Sequence, residues 1–191
     1  MRNHQEERQV KGAACYLVFG PESSCTRMMT RLLIQGGCRG QDTHKQAYDK
    51  KPPKAEPGVK VVWRRSFPHL NRWPDIAEMV QMLRVSGYDL GQIRIVVTVR
   101  DWWATRESQR KTGHVRDIPA AQRRTTEAYR RIFRGAFETG VQFLVVPVEA
   151  LHVGGQPAIA AVYRQLGLPA KRAWDAEPVR NENQKHYAGL L

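Results

Sequence analysis

Short continuous apolar runs alternate along the chain with stretches whose apolar residues recur every three or four positions. Ala13 to Phe19 is unbroken apolar sequence closed by Gly20-Pro21, the pattern of a parallel strand buried on both faces. Met28, Met29, Leu32 and Leu33 then follow helical spacing until Gly36-Gly37. Val61-Val62-Trp63 predicts a second strand ending at Arg64-Arg65-Ser66. Pro74-Asp75 opens a helix with Ile76, Met79, Val80 and Leu83 on one face, closed near Gly87. Ile93 to Val99 is the clearest strand and ends at Arg100-Asp101. Helices are expected over Trp102 to Lys111 and Pro119 to Glu138, the second with Tyr129, Ile132, Phe133 and Phe137 as its inner stripe. A fourth strand is expected over Val141 to Val148 and a last helix over Ala158 to Leu166. This alternation predicts an α/β fold with three layers, a mainly parallel central sheet between two sets of helices. One domain over 1–191 is expected, with 1–12 a flexible tail, 39–59 a mobile loop and 178–191 a C-terminal segment.

Composition narrows the class. The 191 residues are 41% hydrophobic and 26% charged, as in folded domains with a real core. No apolar run reaches bilayer length, and Met1 to Lys11 lacks the apolar centre of a secretion signal, so a soluble cytoplasmic protein is expected. Cys15, Cys25 and Cys38 have no paired spacing, which argues against a disulfide framework and a cysteine zinc site; no metal is expected. Lys and Arg number 31 against 18 Asp and Glu, a net charge of +13. That excess implies an anionic partner without naming it. A non-catalytic nucleic-acid-binding protein is one reading, disfavoured because no helix-turn-helix, zinc-finger or RNA-recognition pattern occurs.

The turn after the first strand changes the picture. In parallel α/β sheets, ligands bind at the carboxyl ends of the strands, and phosphates favour the N-terminus of the helix that follows. Here the turn reads Gly20-Pro21-Glu22-Ser23-Ser24-Cys25-Thr26-Arg27. Ser23, Ser24 and Thr26 carry hydroxyl donors, and Arg27 carries a charged donor fork. One N-cap would account for one hydroxyl, not for the cluster. GxxxxGK[ST] is absent and the loop has no Lys, which argues against ATP or GTP hydrolysis and a kinase. The third strand should lie beside the first, bringing Arg100 near this loop. Ser108 follows eight residues on, about 11 Å along a helix.

In this order, the loop at Gly20 to Arg27 followed by Arg100 and Ser108 resembles the cytosolic-type sulfotransferase family of P-loop proteins. Arg65-Ser66-Phe67-Pro68-His69 and Trp73-Pro74-Asp75 also look like small microbial and viral sulfotransferase-like proteins. The resemblance implies a P-loop nucleotide-hydrolase-like fold and 3′-phosphoadenosine 5′-phosphosulfate as donor, leaving adenosine 3′,5′-bisphosphate as product. It implies that Ser23, Ser24, Cys25, Thr26 and Arg27 hold the 5′-phosphosulfate and that Arg100 and Ser108 grip the 3′-phosphate. Arg180 and Lys185 in the tail would close the nucleotide site. The family's loop usually reads PKSGTT, whereas this chain has Glu22 or Ser23 in place of the Lys and Cys25 near the Gly. Either Arg27 or Lys185 substitutes for that Lys, or the domain binds nucleotide without turnover. Glu22 must turn its carboxylate away from the anion, onto a neighbouring Arg.

Sulfuryl transfer requires in-line positioning, charge stabilisation and a base for the acceptor hydroxyl or amine. His69, in the loop after the second strand, is the candidate base; His44, His114 and His152 lack that context. Trp63, Trp102 and Trp103 are candidates for stacking on adenine or lining an acceptor pocket, with Trp63 better placed in the core. The acceptor's identity is not legible.

Overall fold

The computed structural model describes residues 12–42, 51–69, 72–176, 179 and 183–187. Four strands, β1 (Ala14–Pro21), β2 (Lys60–Phe67), β3 (Ile93–Val99) and β4 (Phe143–Pro147), form one all-parallel sheet in the order β2-β1-β3-β4. β1 has a neighbour on each side and helices on both faces. Its apolar residues therefore do not alternate with polar ones, and Cys15 to Phe19 are at most 1% exposed.

The helices are α1 (Thr26–Gln35), α2 (Ile76–Val85), α3 (Trp102–Lys111), α4 (Ile118–Thr139), α5 (Val148–Gln165) and the single turn α6 (Gln184–Tyr187). Cys15, Leu17 and Phe19 point to one face, where Met79, Val80 and Leu83 of α2 and Ala128, Ile132 and Ala136 of α4 cover them. Tyr16 and Val18 point to the other, against Met29, Leu32 and Leu33 of α1 and Ile159 and Tyr163 of α5. The period of two along β1 thus feeds two separate cores. Asp75, Asp101 and Asp117 cap α2, α3 and α4 by accepting from the N–H groups of Glu78, Ala104 and Ala120 at 3.1, 2.8 and 2.7 Å. Each such cap contributes about 1 kcal/mol.

Several boundaries differ from expectation, each for a physical reason. β2 runs through the Arg64-Arg65-Ser66 expected to end it and stays in register with β1 to Phe67. Arg64 and Arg65 are consequently only 6% and 8% exposed. The Arg65 guanidinium lies 4.8 Å over the Trp63 ring and donates to the Arg64 carbonyl, so strand pairing outweighs the cost of the charge. The inner stripe of α4 is Ala121, Thr125, Ala128, Ile132 and Ala136, while Phe137 is 71% exposed. Small residues let α4 approach closely: a Cβ on Gly135 would meet Ile76 Cβ at 2.8 Å. β4 stops at Pro147, and α5 begins ten residues before Ala158, with a break at Gly155 where φ is 52°. Of the expected mobile loop, the described parts are anchored: Arg39 pairs with Glu56 through two hydrogen bonds and bridges to Val61. Residues 1–11 and 43–50, including His44, lie outside the described residues.

Ile132→Ala should cost about 2–5 kcal/mol in urea unfolding, because a fully buried side chain is cut away. Phe137→Ala should cost less than about 1 kcal/mol, leaving only its edge contact with Phe143 at 5.3 Å to lose. Equal losses at the two positions would contradict the observed stripe.

Candidate anion site at the carboxyl edge of the sheet

The loop from β1 to α1 is shaped by close packing. A Cβ on Gly20 would stand 2.2 Å from Ser24 Oγ and 2.3 Å from Thr98 Oγ1, so only glycine fits there. Ser24 Oγ and Thr98 Oγ1 lie 2.9 Å apart, and Thr98 Oγ1 donates to the Phe19 carbonyl at 3.3 Å. Ser24 is fully buried, so its hydroxyl faces the sheet and is not the outward donor expected for it. Ser23 and Cys25 adopt left-handed backbone conformations, φ 67° and 66°. Each costs about 1–2 kcal/mol for a residue with a Cβ. Such strain persists only where surrounding contacts hold it.

What holds it is Arg100. Its Nη1 donates to the Ser23 carbonyl at 2.8 Å, and its Nε donates to Asn183 Oδ1 at 2.7 Å. Asn183 Nδ2 in turn donates to Glu149 Oε1 at 2.6 Å, and the same oxygen accepts from the Asp101 N–H at 2.8 Å. The end of β3, the loop after β1, the start of α5 and the tail segment thus meet at one point. Gln109 adds a second brace, donating to the Glu22 carbonyl at 2.8 Å.

Glu22 does turn away onto an arginine: its Oε2 lies 2.9 Å from Arg124 Nη2 on α4. No side chain caps α1, and its first turn holds no acidic residue, in contrast to the Asp-capped α2, α3 and α4. The positive end of α1 is therefore not neutralised by a carboxylate of its own. Thr26 is buried as the first residue of α1. Arg27 is exposed and donates through Nε to the Asp42 carbonyl at 3.0 Å, while Arg31 pairs with the Asp42 carboxylate at 3.0 Å. Arg64 lies under this group. Its burial, then the nearby Arg27 and Arg65 charges, lower its pKa from the usual guanidinium value, and Asp42 acts in the opposite sense.

The remaining expected residues are placed as follows. His69 is half-buried after β2, its Nδ1 3.3 Å from Ser66 Oγ, and its backbone pairs with Arg72. Ser108 is half-buried on α3, and its hydroxyl makes no hydrogen bond to a described residue; Arg100 and Ser108 are not brought into a shared contact. Arg100 is only 7% exposed and is engaged with Ser23 and Asn183, so it braces the site instead of standing open beside Ser108. Lys185 is exposed, and its carbonyl accepts from Lys111 Nζ at 3.4 Å. Arg180 lies outside the described residues. Trp63 is core, whereas Trp102 and Trp103 flank the Arg106 guanidinium at 5.1 and 5.5 Å. Burial raises the thiol pKa of Cys15 and Cys38, the latter to about 12, which leaves both as inert core groups.

No protein-family model matches the chain. No curated protein matches it either. The site therefore stands on its own geometry: a strained strand-to-helix turn, an uncapped helix, two arginines beside it and a third beneath. Among the described residues, no helix is long and apolar enough to cross a membrane.

Asn183, Glu149, Gln109 and His186 were missed by sequence reasoning. A polar tail signals nothing about where it docks, and single Asn, Glu and Gln residues carry no spacing pattern. His186 is 6% exposed, and neither ring nitrogen has a hydrogen-bond partner among the described residues. Burial, followed by the charges of Arg100, Lys111 and Lys185, lowers its pKa from 6.5, with Glu107 acting weakly the other way. A lowered native pKa means the folded state favours the neutral ring. Docking of the tail is therefore intact above pH 6.5 and weakens as pH falls from there through the lowered native value. Amide exchange at 183–187 should accelerate on going from pH 7.5 to 5, after correction for intrinsic rates, and His186→Gln should flatten that dependence. An unchanged protection factor in the parent protein would contradict this placement of His186.

Proposed function

We propose that the protein is a sulfotransferase, moving a sulfuryl group from 3′-phosphoadenosine 5′-phosphosulfate to a hydroxyl or amine acceptor on a P-loop-like scaffold. The observation that carries the reading is the 2.8 Å bond from Arg100 to the Ser23 carbonyl, which joins the end of β3 to the turn between β1 and α1. Two anion-directed segments 77 residues apart are thereby fixed on one sheet edge. The uncapped α1, with Arg27 in its first turn and Arg64 close to Arg27, supports binding of the donor's phosphosulfate end there. Ser108 and Lys111 on α3 and Lys185 on α6 would face the 3′-phosphate, with Arg100 acting through Ser23 and Asn183.

In the transfer, an acceptor oxygen or nitrogen forms a bond to sulfur as the bond from sulfur to the bridging phosphate oxygen breaks. The acceptor's proton passes to His69, and the electron pair leaves on the 5′-phosphate of adenosine 3′,5′-bisphosphate. Ser66 Oγ beside Nδ1 orients the His69 ring for this role. Loop N–H groups and Arg27, standing where no loop Lys exists, offset the charge on the departing phosphate.

Adenosine 3′,5′-bisphosphate should raise the melting temperature of the protein more than ATP, GTP or AMP at equal concentration. A larger shift with ATP would favour a kinase-like enzyme, and no selective shift would remove the sulfotransferase reading. His69→Ala should keep the bisphosphate shift while lowering turnover by about 100-fold or more. Unchanged turnover would assign the base elsewhere.

A further inference from the structure

A cavity of about 400 Å³ opens between the loop after β2 and the first turns of α4. Pro68, Trp73, Ala120, Arg123, Arg124 and Glu127 line it. Two of its lining residues link it to the proposed site. Pro68 precedes the candidate base His69 in the chain, and Arg124 is the arginine that holds Glu22 of the β1–α1 turn.

The charges around the cavity are not equivalent. Arg124 is engaged by Glu22 at 2.9 Å. Glu127 is held by both Arg130 and Arg131, at 2.7 and 2.5 Å, and these two hydrogen bonds keep its carboxyl pKa down at about 2. Its carboxylate is thus paired within α4. Arg123 is exposed on the cavity wall and makes no ion pair or hydrogen bond among the described residues. Trp73 supplies an indole to the cavity wall, braced by the Arg131 guanidinium 4.9 Å from its ring. An aromatic wall beside an uncommitted guanidinium suits a ring that carries an anionic group.

We propose that this cavity holds the sulfate acceptor, and that the acceptor is a hydroxylated ring bearing a carboxylate, its ring against Trp73 and its carboxylate on Arg123. This rests on the sulfotransferase reading above. Sugar acids and hydroxyaryl acids share that chemistry, and the two are separated by the choice of probe.

The test uses the full chain with D-glucuronate and 4-hydroxybenzoate as probes, and with glucose and phenol as their neutral counterparts. Binding is followed by ligand-observed NMR with and without adenosine 3′,5′-bisphosphate. At least one acid should bind about tenfold more tightly than its neutral counterpart, and Arg123→Ala should abolish that difference. Arg123 is exposed, so its variant should fold, with an unchanged melting temperature as the control. Trp73→Leu should weaken the acid and its neutral counterpart together. Equal binding of acids and neutral rings, or an acid preference that survives Arg123→Ala, would overturn the acceptor class. Should the bisphosphate bind while neither acid does, only the acceptor class falls. Should an acid bind through Arg123 while the bisphosphate gives no shift, the acceptor role falls together with the sulfotransferase reading.

Discussion

The structure depends on one buried guanidinium. Arg100 leaves the end of β3 with 7% exposure and bonds to Ser23 and Asn183, which lie 77 and 83 residues away in sequence. A charge so placed is tolerated because carbonyl and amide oxygens meet its N–H groups; a hydrogen bond to a charged group contributes about 1.5–3 kcal/mol. The left-handed Ser23 and Cys25 are held on one side by this contact and on the other by the Ser24–Thr98 hydroxyl pair. Strain in the turn and order in the tail are thus coupled through a single side chain.

That coupling is what the proposed anion site adds to the basic surface expected of a chain of net charge +13. The carboxylates near the turn each have a partner: Glu22 pairs with Arg124, Asp42 with Arg31, and Glu149 accepts from Asn183 and the Asp101 N–H. On the β2 side, Arg64 and Arg65 are drawn into the sheet by eight-residue pairing with β1. Positive charge is therefore left at the start of α1, where the helix dipole adds to it. Two of the arginines on α4 serve another purpose: Arg130 and Arg131 pair with Glu127 on the helix surface.

Much of the fold was legible in the sequence because its signals are local and strong. The apolar run Ala13 to Phe19, the period of α2 and the limits of α3 each follow from spacing and end residues. The four-stranded parallel sheet, with β3 beside β1, follows from their alternation. Less was legible where neighbours decide. Arg64-Arg65 reads as the end of a strand until β1 is there to pair with it, and Phe137 reads as core until Gly135 and the alanines of α4 show which face is close-packed. At the site, the turn and Arg100 could be picked out from their strand-end positions, and Glu22 from the need to remove its charge. Asn183 and His186 could not, since docking of a polar tail is a tertiary event with no periodicity. Ser24 was misjudged for a related reason: its hydroxyl turns inward to Thr98, a partner 74 residues away.

On the proposed reading, the anionic nucleotide binds at the Ser23 to Arg27 turn, which Arg100 steadies. Backbone amide NMR during titration with adenosine 3′,5′-bisphosphate addresses it most directly. Saturable shifts should concentrate at residues 23–27, with smaller ones at 183–187. Shifts confined to the exposed arginine face of α4, with the turn silent, would contradict it.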